Sequence, residues 1–161
     1  MEKQTAIISK EFKFEAAHRL PLHAGACANI HGHSYRVVVE IGGELNTDGP
    51  ASGMVMDFGC LSDAMRTILD EGLPDVGPWD HSLMLWVGDP LVGVFNNAIA
   101  NGDISEQRII IMTNQPTAEN MARWLSVLIQ DQLSQDPRGN GVTVKKIEVW
   151  ETAKCMAAWV A

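Results

Sequence analysis

Two segments near the start of the chain alternate between apolar and polar residues, a pattern that predicts half-buried β-strands. The first covers residues 5–18. Its alternate residues that are predicted to face inward are Ile8, Phe12, Phe14, Ala16 and His18. The second follows an HGH tripeptide and stops at Gly42 and Gly43. Its residues that are predicted to face inward are His33, Tyr35, Val37, Val39 and Ile41. Residues 19–30 connect the two segments, so the strands can pair as a hairpin.

Three later segments carry the start and stop signals of helices. Their predicted N-termini are Asp57, the pair Asp89-Pro90, and Thr117. Their predicted ends are Gly72 with Pro74, the region of Gly102, and Pro137 with Gly139. The first and third segments also have apolar residues at helical spacing, so we expect each of these helices to bury one face.

Short apolar strands are predicted at residues 108–112, 142–151 and 154–160. The resulting order is strand, strand, helix, short helix, strand, helix, strand, strand. Strands that follow one another directly favour hairpins over alternating βαβ units, which predicts an α+β fold. No repeat or linker interrupts residues 1–161, and we expect a single domain.

Composition indicates a soluble globular protein in a reducing compartment. Apolar residues make up 46% of the sequence and charged residues 20%, and no apolar run approaches the ~20 residues of a membrane span. The first ten residues, with Glu2 and Lys3, lack the apolar core of a secretory signal. Cys27, Cys60 and Cys155 are odd in number and widely spaced, which argues against a disulfide framework. We therefore expect a cytoplasmic protein.

The net charge limits the classes of partner. Its formal value is −8, whereas nucleic-acid-binding proteins gain affinity by neutralising phosphates with clustered Lys and Arg. The sequence contains no such cluster. A small phosphorylated substrate is still compatible with this charge, because a few local cations can outweigh the distant field inside a pocket.

Three histidines are expected to converge at one end of the hairpin. His31 and His33 are two residues apart in the approach to a strand, so their side chains leave on the same face. His18 ends the first strand, and hairpin pairing would return His33 close to it. Neutral imidazole is a good zinc ligand, and three protein ligands with an open fourth position describe a catalytic site. An H-x-H pair alone is more often a polar turn, and the third histidine favours a metal.

The loop before the HGH tripeptide carries a thiol. Cys27 lies four residues before His31 in a polar loop, where a nearby metal or cation would favour a thiolate that acts as base or nucleophile. A small buried core residue is the alternative, which we prefer for Cys60 and Cys155. His23, in the same loop, has no periodic partner and is expected to be solvated.

Two further positions leave alternatives open. Adjacent residues such as Asp80 and His81 ordinarily point apart, and a capping Asp beside a surface His accounts for the pair as well as a catalytic role does. Glu151 shares parity with Ile147 and Val149, which suggests a carboxylate on the buried face, a costly arrangement unless it is paired. Surface exposure at the end of the sheet is the alternative for Glu151.

Six motifs, taken in order along the chain, are similar to those of a known enzyme family. They are F-x-A-A-H from Phe14 to His18, C-x-x-x-H-G-H from Cys27 to His33, M-D-F from Met56 to Phe58, Asp80-His81, P-T-A-E-N from Pro116 to Asn120, and E-T at Glu151-Thr152. Together they resemble the 6-pyruvoyl-tetrahydropterin synthase and 6-carboxy-tetrahydropterin synthase family. One departure is Leu85, where many relatives have Asn in D-H-x-x-L-N, and we expect it to affect a local helix cap more than the chemistry.

The resemblance implies a fold, a metal and a role for each site residue. The fold is the tunnelling fold (T-fold), an antiparallel sheet with two main helices on one face, and its sheets join into a barrel in trimers or hexamers with active sites near subunit interfaces. Zn²⁺ would be bound by His18, His31 and His33. Cys27 would transfer protons with Asp80 and His81 as catalytic partners, and Glu151 would anchor the pterin.

The C-x-x-x-H-G-H spacing favours one branch of this family. Members that form the carboxy product tend to have three residues between Cys and HGH, as here, whereas pyruvoyl-forming members tend to have five. The resemblance is therefore closest to the 6-carboxy-5,6,7,8-tetrahydropterin synthase branch. Its lyase reaction converts 7,8-dihydroneopterin triphosphate to 6-carboxytetrahydropterin, acetaldehyde and triphosphate on the route to 7-deazaguanines such as queuosine.

Three other functions are weighed against this one. A pyruvoyl-forming synthase would share the site and differ in its product. A zinc- or pterin-binding protein without turnover would need neither Cys27 nor the Asp80-His81 pair. A zinc hydrolase would be expected to carry H-E-x-x-H, which the sequence lacks.

Overall fold

A computed structural model describes residues 4–161 of the chain. Its elements, in chain order, are β1 (Thr5–His18), β2 (His31–Glu44), α1 (Phe58–Arg66), β3 (Ser82–Trp86), α2 (Pro90–Ala100), β4 (Ile109–Met112), α3 (Ala118–Gln135), β5 (Thr143–Trp150) and β6 (Met156–Val160). Every strand and helix predicted from the sequence is present. Strand β3 is an additional element that the sequence pattern did not indicate.

The six strands form one mixed sheet in the order β4-β3-β1-β2-β5-β6. Strands β1 and β2 form a long antiparallel hairpin whose ends pair Thr5 with Glu44 and His18 with His31. Strands β5 and β6 continue the antiparallel arrangement beyond β2. Strands β3 and β4 run parallel to β1, so the expected antiparallel pairing applies to four of the six strands.

One face of the sheet packs against α1 and α3. Residues of β1 and β2 that were predicted to face inward are buried: Phe14 is 2% exposed, and Tyr35, Val37 and Val39 are fully buried. These side chains share one apolar core with Leu61 and Met65 of α1 and with Met121, Leu125 and Ile129 of α3. Burying an aliphatic or phenylalanine side chain of this size contributes ~1.5–3 kcal/mol.

Helix starts follow the predicted capping residues. The side chains of Asp57, Asp89 and Thr117 accept hydrogen bonds from the backbone N–H groups of Gly59, Leu91 and Asn120, respectively. Helix α1 continues into a wider turn at Thr67–Glu71 and ends at Gly72, whose φ is +86°. A side chain at Gly72 would also meet the backbone nitrogen of Pro78 at 2.7 Å, so glycine is required there.

Leu85 does not occupy a helix cap. It is fully buried in β3, and the cap of the following helix is Asp89. The expectation that Leu85 alters a local cap is therefore wrong, because its position lies inside a strand. No helix within residues 4–161 is long and apolar enough to cross a membrane.

Candidate metal centre

The register of the hairpin brings three histidines together. His18 pairs with His31 across β1 and β2, and His33 lies two residues further along β2 on the same face. The candidate ligand atoms of the three imidazoles all lie within 4.8 Å of one another. Within residues 4–161, no other group of three His, Cys, Asp or Glu side chains meets this spacing.

Backbone carbonyls orient two of the rings. The Nδ1 atom of His18 is 2.7 Å from the carbonyl oxygen of Pro116, and that of His31 is 2.8 Å from the carbonyl oxygen of Asn29. A carbonyl only accepts, so both Nδ1 atoms carry the proton and donate, which leaves both Nε2 lone pairs free. A ligand histidine is commonly fixed in its tautomer in this way.

The cluster fits a zinc ion. The Nε2 atoms of His18 and His33 are buried and have no hydrogen-bond partner among the described residues, a costly state that a metal would relieve. Burial, together with the neighbouring His31 and His33, lowers the pKa of His18, while the Pro116 hydrogen bond and Glu151 act in the opposite direction. The neutral imidazole favoured by burial is the form that binds zinc.

Glu151 reaches this cluster from β5, the strand that pairs with β2. It follows β5 directly, and its Oε1 atom lies 3.8 Å from Nε2 of His18. Its side chain is 27% exposed, and its backbone N–H donates to the carbonyl of Cys155 at 3.1 Å. The sequence parity therefore indicated the correct side of the sheet for Glu151.

A groove of about 490 Å³ opens beside this carboxylate. Its walls include His33, Glu151, Thr152, Trp150 and Arg36. The Arg36 guanidinium lies 4.1 Å from the centre of a Trp150 ring, which braces one wall. A larger groove of about 1530 Å³ lies at the opposite end of the hairpin, along residues 4–7 and 42–48, and contains none of the predicted site residues.

Cys27 lies in a short turn, Ala26–Ala28, and is half-buried. The Leu20 N–H donates to its carbonyl at 2.8 Å, which closes the loop onto the end of β1. The thiol is not part of the three-histidine group. Among the other cysteines, Cys60 is buried as expected, but Cys155 is exposed because it lies in the turn between β5 and β6.

The segment before α3 supports both the three-histidine cluster and the Cys27 loop. Pro116 accepts from His18, while the side-chain oxygen of Gln115 accepts from the Leu22 N–H at 3.3 Å. The Asn120 side chain donates to the Gln115 carbonyl at 2.8 Å and holds the segment in place. The only signal of this support in the sequence was the P-T-A-E-N motif.

Asp80 and His81 form a direct pair, contrary to the expectation that they point apart. The Nδ1 atom of His81 donates to Asp80 Oδ2 at 2.6 Å, because the φ of +57° at His81 turns the backbone sharply at this point. Partial burial opposes ionisation of Asp80, but hydrogen bonds from the Glu15 N–H and the His81 ring prevail and lower its pKa. The His81 side chain is 72% exposed.

This pair is attached to β1 away from the three histidines. Asp80 accepts from the Glu15 N–H at 2.8 Å, and the His81 N–H donates to the Glu15 carbonyl at 2.6 Å. Glu15 precedes His18 by three residues, about 10 Å along a strand. The structure therefore brings Glu151 to the histidine cluster and leaves the Asp80-His81 pair outside it.

Known proteins are similar to this chain over most of its length. A family model described as 6-pyruvoyl tetrahydropterin synthase matches residues 7–160. A Rickettsia bellii protein named 6-carboxy-5,6,7,8-tetrahydropterin synthase is 32% identical over 91% of this chain and 94% of that one. A Synechocystis protein of the same name is 55% identical over 50% of this chain and 70% of that one.

A solved structure has the same fold. Caenorhabditis elegans 6-pyruvoyl tetrahydropterin synthase superposes with a TM-score of 0.64 at 25% identity, covering 100% of this chain and 99% of that one. The mixed sheet with its packed helices is thus the T-fold. With the family match over residues 7–160, the chain belongs to the 6-pyruvoyl tetrahydropterin synthase family.

Proposed function

We propose that this protein is a zinc-dependent 6-carboxy-5,6,7,8-tetrahydropterin synthase, which converts 7,8-dihydroneopterin triphosphate to 6-carboxytetrahydropterin, acetaldehyde and triphosphate. The observation that carries the proposal is the convergence of three imidazoles with Glu151, whose Oε1 lies 3.8 Å from His18 Nε2. This arrangement sets a metal-binding group beside a carboxylate suited to a pterin ring. The relatives named for the carboxy product and the spacing from Cys27 to His31 support that product over the pyruvoyl product.

His18, His31 and His33 are the proposed zinc ligands. When bound, zinc supplies Lewis-acid polarisation of an oxygen on the substrate side chain. The chain contributes the orientation of the ligands, because Pro116 and Asn29 fix the rings of His18 and His31. It also excludes water from the base of the site, where His18 is only 2% exposed.

Glu151 is the proposed pterin anchor. Its carboxylate can accept two parallel hydrogen bonds from a ring N–H and the exocyclic amine, a charge-assisted pair that fixes the orientation of the ring. The adjoining groove of about 490 Å³ leaves room for the bicyclic ring beside His33. Partial burial of the carboxylate strengthens this contact relative to one in open water.

Cys27, Asp80 and His81 are the proposed proton-transfer residues. The 2.6 Å bond from His81 Nδ1 to Asp80 fixes the imidazole and leaves its Nε2 atom free to accept a proton. Because the pair lies about 10 Å along β1 from His18, we propose that a second copy of the chain completes each site. A homo-oligomer, trimeric or hexameric, follows from this proposal.

We propose that the single domain of residues 1–161 acts in the cytoplasm, on the route to queuosine. Three free cysteines support a reducing compartment. A pyruvoyl-forming synthase is the alternative with the same site.

Product identification tests the proposal. Purified protein is incubated with 7,8-dihydroneopterin triphosphate, with and without a zinc chelator, and the pterins are identified by mass. We expect 6-carboxytetrahydropterin, with loss of turnover on chelation and recovery when zinc is restored. Release of 6-pyruvoyl-tetrahydropterin alone would contradict the product assignment, and turnover insensitive to chelation would contradict the metal.

A further inference from the structure

The turn that carries the Asp80-His81 pair is strained. His81 has a φ of +57°, a left-handed conformation that is uncommon for residues other than glycine. Within residues 4–161, Asp75 is the only other residue with a side chain in that region. Such a conformation persists only where the surrounding structure holds it in place. The contacts around this turn therefore decide the direction of the His81 imidazole.

The inner side of the turn is held by the core. The Trp79 and Asp80 N–H groups donate to the carbonyls of Ile68 and Leu69, in the wider turn that ends helix α1, at 3.2 Å and 2.9 Å. The buried Ser82 hydroxyl donates to the Trp79 carbonyl at 2.7 Å. These bonds fix the backbone before and after the pair, and none of them uses the Asp80 carbonyl.

The peptide group between Asp80 and His81 is held at both ends. Its N–H donates to the Glu15 carbonyl at 2.6 Å, and its C=O accepts from Nη1 of Arg108 at 2.9 Å. The backbone carbonyl of Arg108 accepts from the Leu83 N–H at 2.8 Å, so Arg108 bonds to both sides of the turn. Because the φ of His81 is the rotation that follows this peptide group, a fixed peptide plane fixes the direction in which the imidazole leaves the backbone.

The Arg108 side chain has no other evident task. It is exposed, and among the described residues its guanidinium makes this one hydrogen bond and no ion pair. Replacing an exposed side chain leaves no cavity in the core and ordinarily changes stability little. Water could hydrate the Asp80 carbonyl equally well, so the specific effect of the Arg108 bond is to hold the peptide plane.

We propose that Arg108 is a positioning residue for the Asp80-His81 pair: by holding the Asp80 carbonyl, it keeps the His81 imidazole in the direction from which it exchanges protons with the substrate. This inference rests on the proposed function, because it assumes that His81 transfers protons there. Arg108 acts through the pair and not on the pterin.

Single-turnover rates of zinc-loaded protein with 7,8-dihydroneopterin triphosphate measure this effect. We expect Arg108→Gln to react ~10-fold more slowly, as for the loss of one hydrogen bond to a charged group. His81→Ala, which removes the acid–base group itself, should lose ~10²–10⁴-fold. In the His81→Ala background, Arg108→Gln should have little further effect, because its partner is already absent.

Two comparisons keep the rate effect specific. Arg108→Lys should recover most of the rate, because the bond uses a single donor that lysine also has. Affinity for neopterin, which carries the same ring donors and is not turned over, should stay at the parent value in Arg108→Gln. Arg123→Gln is the matched control: Arg123 is an exposed arginine on α3, and its replacement should leave both the rate and the affinity unchanged.

The tautomer of His81 separates positioning from a general loss of structure. Nδ1 of His81 donates to the Asp80 carboxylate, so the neutral imidazole carries its proton on Nδ1. Nitrogen NMR spectra of zinc-loaded protein with labelled histidine, assigned with His81→Ala and recorded at alkaline pH, report this tautomer. We expect it to dominate in the parent and in Arg123→Gln. In Arg108→Gln the form with its proton on Nε2 should become populated, because the released peptide plane weakens the bond to Asp80.

Each outcome decides a different claim. A parental rate in Arg108→Gln would overturn the role of Arg108 and leave the proposed function standing. A slower rate with an unchanged His81 tautomer, or full additivity with His81→Ala, would mean that Arg108 acts elsewhere and would also overturn it. A parental rate in His81→Ala would overturn the proton-transfer pair and this inference together. Absence of turnover by the zinc-loaded parent protein would instead contradict the proposed function.

Discussion

His18 Nε2 and Glu151 Oε1 lie 3.8 Å apart, although the two residues come from opposite ends of the chain. His18 ends β1 and Glu151 follows β5, with β2 between these strands in the sheet. The long hairpin and the antiparallel pairing of β5 with β2 bring the two side chains to the same end of the sheet. The sheet register thereby places a candidate metal ligand beside a candidate pterin anchor.

Replacing Glu151 tests this relationship. Glu151→Gln keeps the shape but turns one acceptor into a donor that faces the donors of the pterin. We expect substrate binding to weaken by ~1.5–3 kcal/mol, as for hydrogen bonds to charged groups. Glu40→Gln is the matched control, since it removes a carboxylate of the same sheet that pairs with Lys146. Equal substrate affinity in Glu151→Gln and the parent would rule out the anchor.

Zinc content tests the three-histidine centre. We expect one zinc per chain in parent protein and loss of that metal in His31→Ala, because two imidazoles do not hold a catalytic zinc tightly. His23→Ala is the matched control: His23 is exposed and its Nδ1 accepts from the Gly25 N–H. Metal analysis of the three proteins checks the prediction. Full zinc in His31→Ala would show that the ligands are misassigned.

The Cys27 thiol should be needed for turnover and not for zinc. We expect Cys27→Ala to bind metal and neopterin normally but to react ~10²–10⁴-fold more slowly, the usual contribution of a general acid–base group. Cys155→Ala removes an exposed thiol from the turn before β6 and should react at the parent rate. Single-turnover rates compare the variants. Near-parental turnover in Cys27→Ala would remove the thiol from the mechanism.

The Asp136 carboxylate should make stability depend on acid pH. Hydrogen bonds from the Arg138 side chain and backbone lower the pKa of Asp136 from 3.8 to about 2. A lowered pKa in the folded state means that the ionised group stabilises the fold above pH 3.8, and that this contribution is lost as pH falls toward 2. Asp136→Asn should therefore melt below the parent at neutral pH.

Melting temperatures across that acid range check the prediction. The difference between Asp136→Asn and parent should shrink between pH 4 and pH 2. Asp131→Asn is the control, an aspartate on α3 that accepts a hydrogen bond from Gln135. A difference that stays constant down to pH 2 would show that Asp136 acts through packing.

The convergence of the three histidines was predictable because it follows from strand periodicity. His31 and His33 share a face at a spacing of two, and the hairpin pairs His31 with His18. Glu151 was predictable in the same way, from its parity with Ile147 and Val149. The side chains of a strand alternate between its two faces, so the spacing of these residues in the sequence shows which of them share a face.

Other features depend on tertiary structure that the sequence does not display. Strand β3 lies parallel to β1 and β4 with three of its five residues buried, so it shows no alternation. The hydrogen bond between the side chains of His81 and Asp80 depends on a positive φ at His81. Nothing in an Asp-His dipeptide indicates that backbone conformation.

The ratio of acetaldehyde to triphosphate tests the central claim most directly. In the carboxy reaction each turnover releases one molecule of each, whereas the pyruvoyl reaction releases triphosphate without acetaldehyde. Zinc-loaded parent protein, given 7,8-dihydroneopterin triphosphate, should release the two in equal amounts, and His31→Ala should release neither above background. Triphosphate released without acetaldehyde would contradict the proposed reaction, and equal turnover by His31→Ala would contradict the metal centre on which it rests.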